Sequence, residues 1–312
     1  MGLTPQEILM IDDLYKNARS SVKLNGEQSN AFNIEQGVRQ GGTLSADLYK
    51  VYVNDLLNEI CNTGFGGHIG TINCSAPTCA DDLTITSNSQ FEAQILVNIA
   101  NDYSKRESYI IQPTKSVVLP IQTNTNAHND TTLLMDDREM PTVDKTTHVG
   151  IQRSNCNTQL VTAEENIKKA RRALYSLMAS GLHGENGLDP STSISTFRTY
   201  VMPILLYGLD VVMTNSKSLK ILQSFYKKTI KQILSLPIST ADPAIYLLSG
   251  LLPINAEIDI KIITLLGNIL CSDKSTVEWK IANRQLKIKS CKSNSWFIDA
   301  KKICFKYQLT DQ

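Results

Sequence analysis

The hydrophobic pattern of this chain changes character once. Before about residue 155, short β-like runs and turn signals alternate with amphipathic helical stretches; from Thr162 onward, apolar residues recur at helical spacing almost throughout. Such a switch confines the chain to an α+β part followed by an all-α part, with a domain boundary expected between 1–155 and 156–312. At 312 residues, 42% of them hydrophobic, the chain is long enough to bury two cores.

Local signals divide the first part. Thr4-Pro5-Gln6-Glu7 is a capping box with proline at the first helical position, so a helix starts there. Asp12 and Asp13 then fall on its solvated face. Asn25-Gly26 is a hairpin turn between strands at 21–24 and 31–34. A glycine-rich stretch, Gly37-Val38-Arg39-Gln40-Gly41-Gly42, runs into a helix reaching about Ile60, with Ser45 as N-cap and Asp47 in the first turn. Ser89 caps another helix, whose Phe91, Ile95, Ile99 and Tyr103 share a buried side. Strands are expected at 109–111 and 116–119, an exposed Asn/Thr-rich loop at 121–131, a hairpin around Asp136-Asp137 and a strand at His148. In the second part, Thr162-Ala163-Glu164-Glu165 is a capping box opening a helix that stops at Gly181. Further helices are expected at 200–209, 219–234 and 254–270, and residues 281–294 show no clear period.

The net charge of +1 hides an asymmetry. Residues 1–160 carry 11 Lys/Arg against 18 Asp/Glu, residues 161–235 carry 10 against 5, and residues 236–312 carry 10 against 7. A basic second part suits a phosphate backbone, although lysines also populate ordinary helix surfaces. Lys168, Lys169, Arg171 and Arg172 cluster on one helix and Lys227, Lys228 and Lys231 on another. The seven cysteines are scattered, without a Cys-x-x-Cys pair, and the four histidines are not at zinc spacing. That usage fits a reducing compartment, nucleus or cytoplasm. The most apolar stretch, 200–213, is short and broken by Pro203, Gly208 and Asp210, so neither a membrane span nor a signal peptide is expected.

Chemistry concentrates at two places. Cys79-Ala80-Asp81-Asp82 sets adjacent carboxylates between β-like runs. Held at a hairpin tip, they suit a hard divalent cation, although Asp-Asp is also common turn chemistry. About forty residues upstream, the glycines at 37, 41 and 42 permit close backbone approach, and Arg39 and Gln40 offer donors for phosphates or base edges. Together the two motifs suit nucleotidyl transfer. A metal phosphohydrolase would need at least one more His, Asp or Glu ligand at fixed spacing, and none is found.

In this order the motifs resemble the reverse transcriptases of non-LTR (LINE-type) retrotransposons. Gly37-Val38-Arg39-Gln40-Gly41, Leu44-Ser45 and Tyr52-Val53-Asn54-Asp55-Leu56 resemble the template- and nucleotide-contacting loop and helix, and Cys79-Ala80-Asp81-Asp82 the catalytic hairpin. Gln112-Pro113-Thr114-Lys115-Ser116 resembles the next palm motif, His148-Val149-Gly150-Ile151 the primer-grip turn and Pro203-Ile204-Leu205-Leu206-Tyr207-Gly208 the thumb signature. Ser295-Trp296 resembles a segment following the thumb. The resemblance implies an α+β partial palm followed by a helical thumb, and RNA-templated DNA synthesis from a DNA primer and deoxynucleoside triphosphates. It implies metal binding by Asp81 and Asp82, with Mg²⁺ or Mn²⁺, and Lys115 near the triphosphate. Gly37, Arg39, Gln40, Gly41 and Gly42 would contact nucleotide and template. The sequence departs from the family at Cys79, where Phe or Tyr is usual, and at Gly42-Thr43, where Cys-Pro is usual. The family's third catalytic aspartate sits on a strand farther upstream of the Gly37 loop than this sequence extends. The expectation is therefore an N-terminally truncated enzyme that does not polymerise by itself, the alternative being an inactive nucleic-acid-binding remnant.

Overall fold

The computed structural model describes residues 3–35, 37–121, 132–179, 181–182 and 187–309. The chain divides into two compact units, Met1–Glu59 and Ile60–Gln312.

The first unit opens with α1 (Pro5–Tyr15). Its capping box forms as expected: the Thr4 hydroxyl accepts from the Glu7 amide, and the Glu7 carboxylate accepts from the Thr4 amide. Asp12 and Asp13 are exposed. β1 (Arg19–Ser20), β2 (Lys23–Leu24), β3 (Glu27–Gln28) and β4 (Phe32–Asn33) form two nested antiparallel pairs. Asn25 and Gly26 both take positive φ, +51° and +88°, as a two-residue hairpin turn requires. The tight turn pairs β2 with β3, its nearest neighbours, and 32–33 pairs with 19–20 instead of with 21–24. α2 (Ser45–Asn62) follows the glycine-rich loop.

In the second unit, three hairpins flank one helix. They are β5 (His68–Ile69) with β6 (Ile72–Asn73), β7 (Thr78–Cys79) with β8 (Asp82–Leu83), then α3 (Gln90–Arg106), then β9 (Leu134–Met135) with β10 (Arg138–Glu139). α3 is capped by Ser89 as read. Its buried side runs through Leu96, Val97, Ala100 and Tyr103, whereas Phe91 is exposed. A strict i+4 line drifts around a 3.6-residue helix, so Phe91 and Tyr103 lie on different faces. The hairpin at Asp136-Asp137 forms, both residues at positive φ. The strands expected at 109–111 and 116–119 do not form; a single parallel bridge, Val118 to Thr142, is what remains of them. Most of the 121–131 loop lies outside the described residues. β11 (Lys145–His148) and β12 (Ile151–Ser154) make the longest ladder.

After Ser154 the second unit is helical: α4 (Thr158–Ala179), α5 (Pro190–Thr196), a π-helical turn Phe197–Val201, α6 (Met202–Leu205), α7 (Ser216–Ile233), α8 (Asp242–Ser249), α9 (Ile254–Leu270), α10 (Val277–Ile288) and α11 (Trp296–Lys306). The main core lies here, between Ala163 and Ala300, around Leu174, Phe197, Leu205, Leu222, Tyr226, Ile230 and Ile254. Burying each such side chain contributes about 1.5–3 kcal/mol. α4 starts a turn before the expected capping box, because buried Thr162 donates its hydroxyl to the Gln152 carbonyl instead of capping. α4 stops before Gly181, which takes φ +104°. The helix expected over 200–209 is instead α5, the π turn and α6, ending at Leu205. α10 covers much of 281–294, where no period was legible.

Candidate active site

The glycine-rich loop lies in the first unit and the acidic hairpin in the second. In the loop, Gly37 and Gly41 take φ +92° and +78°, the left-handed region open to glycine. Ser45 is the first helical residue and no cap: its hydroxyl donates to the Arg39 carbonyl at 2.6 Å, folding the loop back on α2. A Cβ at Gly42 would lie 2.6 Å from that hydroxyl oxygen, so this bond depends on glycine. Arg39 and Gln40 are exposed. Tyr15, Ala18, Ile34, Glu35, Gly37, Val38 and Arg39 line a cavity of about 150 Å³.

The acidic hairpin pairs Thr78 with Leu83 and Cys79 with Asp82. Ala80 takes φ +52°, turning the chain so that Asp81 sits at the tip and Asp82 opens β8. Both aspartates are exposed. Beyond the two-residue ladder, the Thr84 amide donates to Pro77 and the Thr86 amide to Ser75, and the Thr86 carbonyl accepts from Gly67. The second acidic pair differs. Asp136 accepts from Lys105 at 2.5 Å and from Asn101 at 2.7 Å. The Lys105 hydrogen bond, then the Asn101 one, hold the Asp136 carboxyl below its ordinary range. Asp81 and Asp82 are engaged by no cation or donor among the described residues.

The primer-grip candidates lie against this hairpin. His148 closes β11, Val149 and Gly150 form the turn at φ +49° and +74°, and Ile151 opens β12. His148 Nε2 and Thr84 Oγ1 are 3.2 Å apart in a hydrogen bond whose donor is set by the imidazole tautomer. On the other side, Tyr207 donates its hydroxyl to the Val149 carbonyl at 2.8 Å. A Cβ on Gly150 would lie 3.0 Å from the Tyr207 ring, and one on Gly208 2.7 Å from Ile151. Buried Asn166 donates to the Leu205 and Tyr207 carbonyls at 3.1 and 2.7 Å, and the Trp296 indole donates to Asp210 at 2.8 Å. Thus the segment 203–210, the Ser295-Trp296 segment and the 148–151 turn come together. Sequence reasoning missed Thr84 and Asn166; nothing in their local sequence separates them from turn and helix residues.

Lys115 sits exposed in a turn, its amide donating to Gln112, and no hydrogen bond or ion pair joins it to the acidic hairpin. The basic residues divide. Lys168, Arg171 and Arg172 are exposed on α4, with Lys168 3.8 Å from Glu165 and the Arg171 guanidinium over the Phe225 ring. On α7, Lys227 pairs with Asp242 at 2.8 Å and Lys231 donates to the Ile238 carbonyl at 2.5 Å, whereas Lys228 is exposed.

Ionised aspartates are acceptors only, and Mg²⁺ takes one or two carboxylates and keeps several waters. Asp81 and Asp82 therefore fit one hard divalent ion. Among the described residues, no group of three or more His, Cys, Asp or Glu side chains could hold a metal. No described helix is long and apolar enough to cross a membrane.

Comparison with known proteins agrees with this geometry. The family model for reverse transcriptase (RNA-dependent DNA polymerase) matches residues 3–150, a range containing the glycine-rich loop, the acidic hairpin and most of the 148–151 turn. A curated relative, the retrovirus-related Pol polyprotein from type-1 retrotransposable element R2 of Popillia japonica, is 26% identical over 233 residues. The alignment covers 71% of this chain and 31% of that relative, so the chain spans about a third of its length. Reverse transcriptases act on nucleic-acid templates and nucleotides and use divalent metal ions. The motif order, the acidic hairpin and both comparisons agree: residues 3–150 match the reverse transcriptase family model, and the chain is similar to a polyprotein of a non-LTR retrotransposon.

Proposed function

We propose that this chain forms part of an RNA-directed DNA polymerase that copies an RNA template onto a DNA primer. Residues 1–155 would serve as partial palm, and 156–312 as thumb and C-terminal segment. The observation that carries the reading is the exposed, unengaged Asp81–Asp82 pair at a hairpin tip inside the matched range. Asp81, exposed in the turn before β8, is the first choice for direct metal coordination, with Asp82 beside it. A divalent ion held by Asp81 and Asp82 would supply charge stabilisation to an oxygen of the reacting phosphoryl group. Gly37, Gly41 and Gly42 let the loop backbone approach nucleotide or template, and Arg39 and Gln40 hold the template strand by their donors. Lys115 acts near the triphosphate as a point charge or proton donor. His148, Val149 and Gly150 hold the primer end. Lys168, Lys169, Arg171, Arg172, Lys227, Lys228 and Lys231 neutralise backbone phosphates.

The metal assignment is tested with Mn²⁺ as a paramagnetic probe. Added to the 312-residue chain, it should broaden the amide resonances of 80–84 at substoichiometric amounts. Asp81→Ala/Asp82→Ala should abolish that broadening without altering α9. Broadening centred elsewhere, or unchanged in the double variant, overturns the assignment.

A further inference from the structure

From this geometry we infer that Tyr207 and His148 are positioning residues that fix the acidic hairpin relative to the 149–150 turn. The inference rests on the polymerase reading for its consequence and on geometry alone for the linkage. Four segments distant in sequence are joined in series. Thr84, two residues beyond Asp82, meets His148; the next residue, Val149, accepts from Tyr207; and the Tyr207 carbonyl is held by Asn166 of α4. The contact between turn and 207–208 segment is reciprocal. Gly150 makes room for the Tyr207 ring, and Gly208, at φ +69°, makes room for Ile151. Each glycine therefore seats a side chain of the other segment, and neither segment shifts without displacing the other.

The Tyr207 ring is about half exposed, so losing its hydroxyl removes one hydrogen bond and little core packing. One such bond is worth about 0.5–1.5 kcal/mol, or roughly a three- to tenfold change in a local opening equilibrium. Because Tyr207 acts through Val149 and His148, that change should reach Thr84. A purely structural role would stop it at the turn.

Amide hydrogen exchange on the full chain tests the linkage. In Tyr207→Phe, exchange of Ile151 and of Thr84 should both accelerate about three- to tenfold, with the global unfolding midpoint and Ile262 exchange unchanged. His148→Ala should accelerate Thr84, and His148→Gln, whose amide reaches the same place as Nε2, should restore most of its protection. Thr84 protection unchanged in both Tyr207→Phe and His148→Ala overturns the inference. Its consequence is read with Fe²⁺ as the probe metal and a primer–template duplex, scoring where hydroxyl radicals cut the primer. The wild-type cut should be confined to one or two nucleotides, and Tyr207→Phe should spread it at unchanged duplex affinity. An equally confined cut in Tyr207→Phe also overturns the inference. A wild-type chain giving no cut dependent on Asp81 counts against the metal reading instead, and the exchange data then decide the linkage alone.

Discussion

Asn166 shows how much one buried amide can hold. Only 3% exposed, it satisfies two carbonyls in the stretch that leaves α6, where helical bonding has ended. Asn166→Ala strands both acceptors, and an unsatisfied buried group costs about 1–3 kcal/mol. A loss of about 2–4 kcal/mol is expected by urea unfolding, and more for Asn166→Asp, which turns a donor into an acceptor. Tyr226 makes a pH-dependent contribution. Burial first, then the Glu257 carboxylate, push its phenol above the ordinary tyrosine value. A raised folded-state pKa favours the protonated form. The stabilisation is therefore complete below about pH 10, the unfolded value, and lost as pH rises toward the folded one. Tyr226→Phe gives up the hydroxyl's 2.9 Å bond to Leu252, costing about 0.5–1.5 kcal/mol at neutral pH. The variant's urea midpoint should then fall less steeply than wild type above pH 10.

Among the elements, α4 and α7 carry similar numbers of basic residues and are expected to behave differently. α7 spends Lys227 and Lys231 on α8 and the loop before it, whereas Lys168, Arg171 and Arg172 on α4 stay exposed, Lys168 in a long 3.8 Å pair with Glu165 and Arg171 over the Phe225 ring. Replacing Lys168, Lys169, Arg171 and Arg172 with alanine should lower affinity for a primer–template duplex and flatten its salt dependence by roughly one unit of slope per phosphate contact removed. Replacing Lys227 and Lys231 should mainly lower the unfolding midpoint. An unchanged slope in the α4 variant shows that those residues are helix surface only. The same contrast bears on what could be read from sequence. The capping residues Thr4 and Ser89, the turns at Asn25-Gly26 and Asp136-Asp137 and the stop at Gly181 were legible, because each is a local rule between residues a few positions apart. Strand pairing at 109–119 was not: it depends on a partner elsewhere, and only Val118 finds one. Nor could Thr162 be told from a cap, since its partner Gln152 is ten residues away. In the site, the Asp-Asp hairpin was visible as a motif. The bonds from Thr84 to His148 and from Tyr207 to Val149 span 64 and 58 residues and leave no local trace.

For the whole molecule, packing is uneven. The main core lies in the helical part, from Ala163 to Ala300, while α1 contributes no buried residue and exposes Ile8, Leu9, Met10 and Leu14. Limited proteolysis should therefore cut first within 3–45 and leave a protected fragment containing 160–309, read by mass spectrometry. A protected 1–59 with the helices already digested is the contrary result. Polymerisation is a second whole-molecule property. Two-metal transfer needs carboxylates on both ions, and adjacent acids on one hairpin do not reach around a pair. With no third ligand beside them among the described residues, the 312-residue chain is expected to give no template-dependent extension above an Asp81→Ala/Asp82→Ala control. Extension well above that control on an RNA template with Mg²⁺ would mean that another acid completes the site.

The long-range bonds around the 148–151 turn also set an order of events on the ribosome. The acidic hairpin is made of neighbours and can close as soon as Leu83 has emerged. Its brace waits for His148, then for Tyr207, and the Trp296 bond to Asp210 waits longer still. At about 5–20 residues per second, the 123 residues from Thr84 to Tyr207 take roughly 6–25 s to synthesise. For that interval the hairpin carrying Asp81 and Asp82 lacks its long-range bonds, so a nascent chain stalled before residue 207 carries the acids without the Tyr207–Val149 contact.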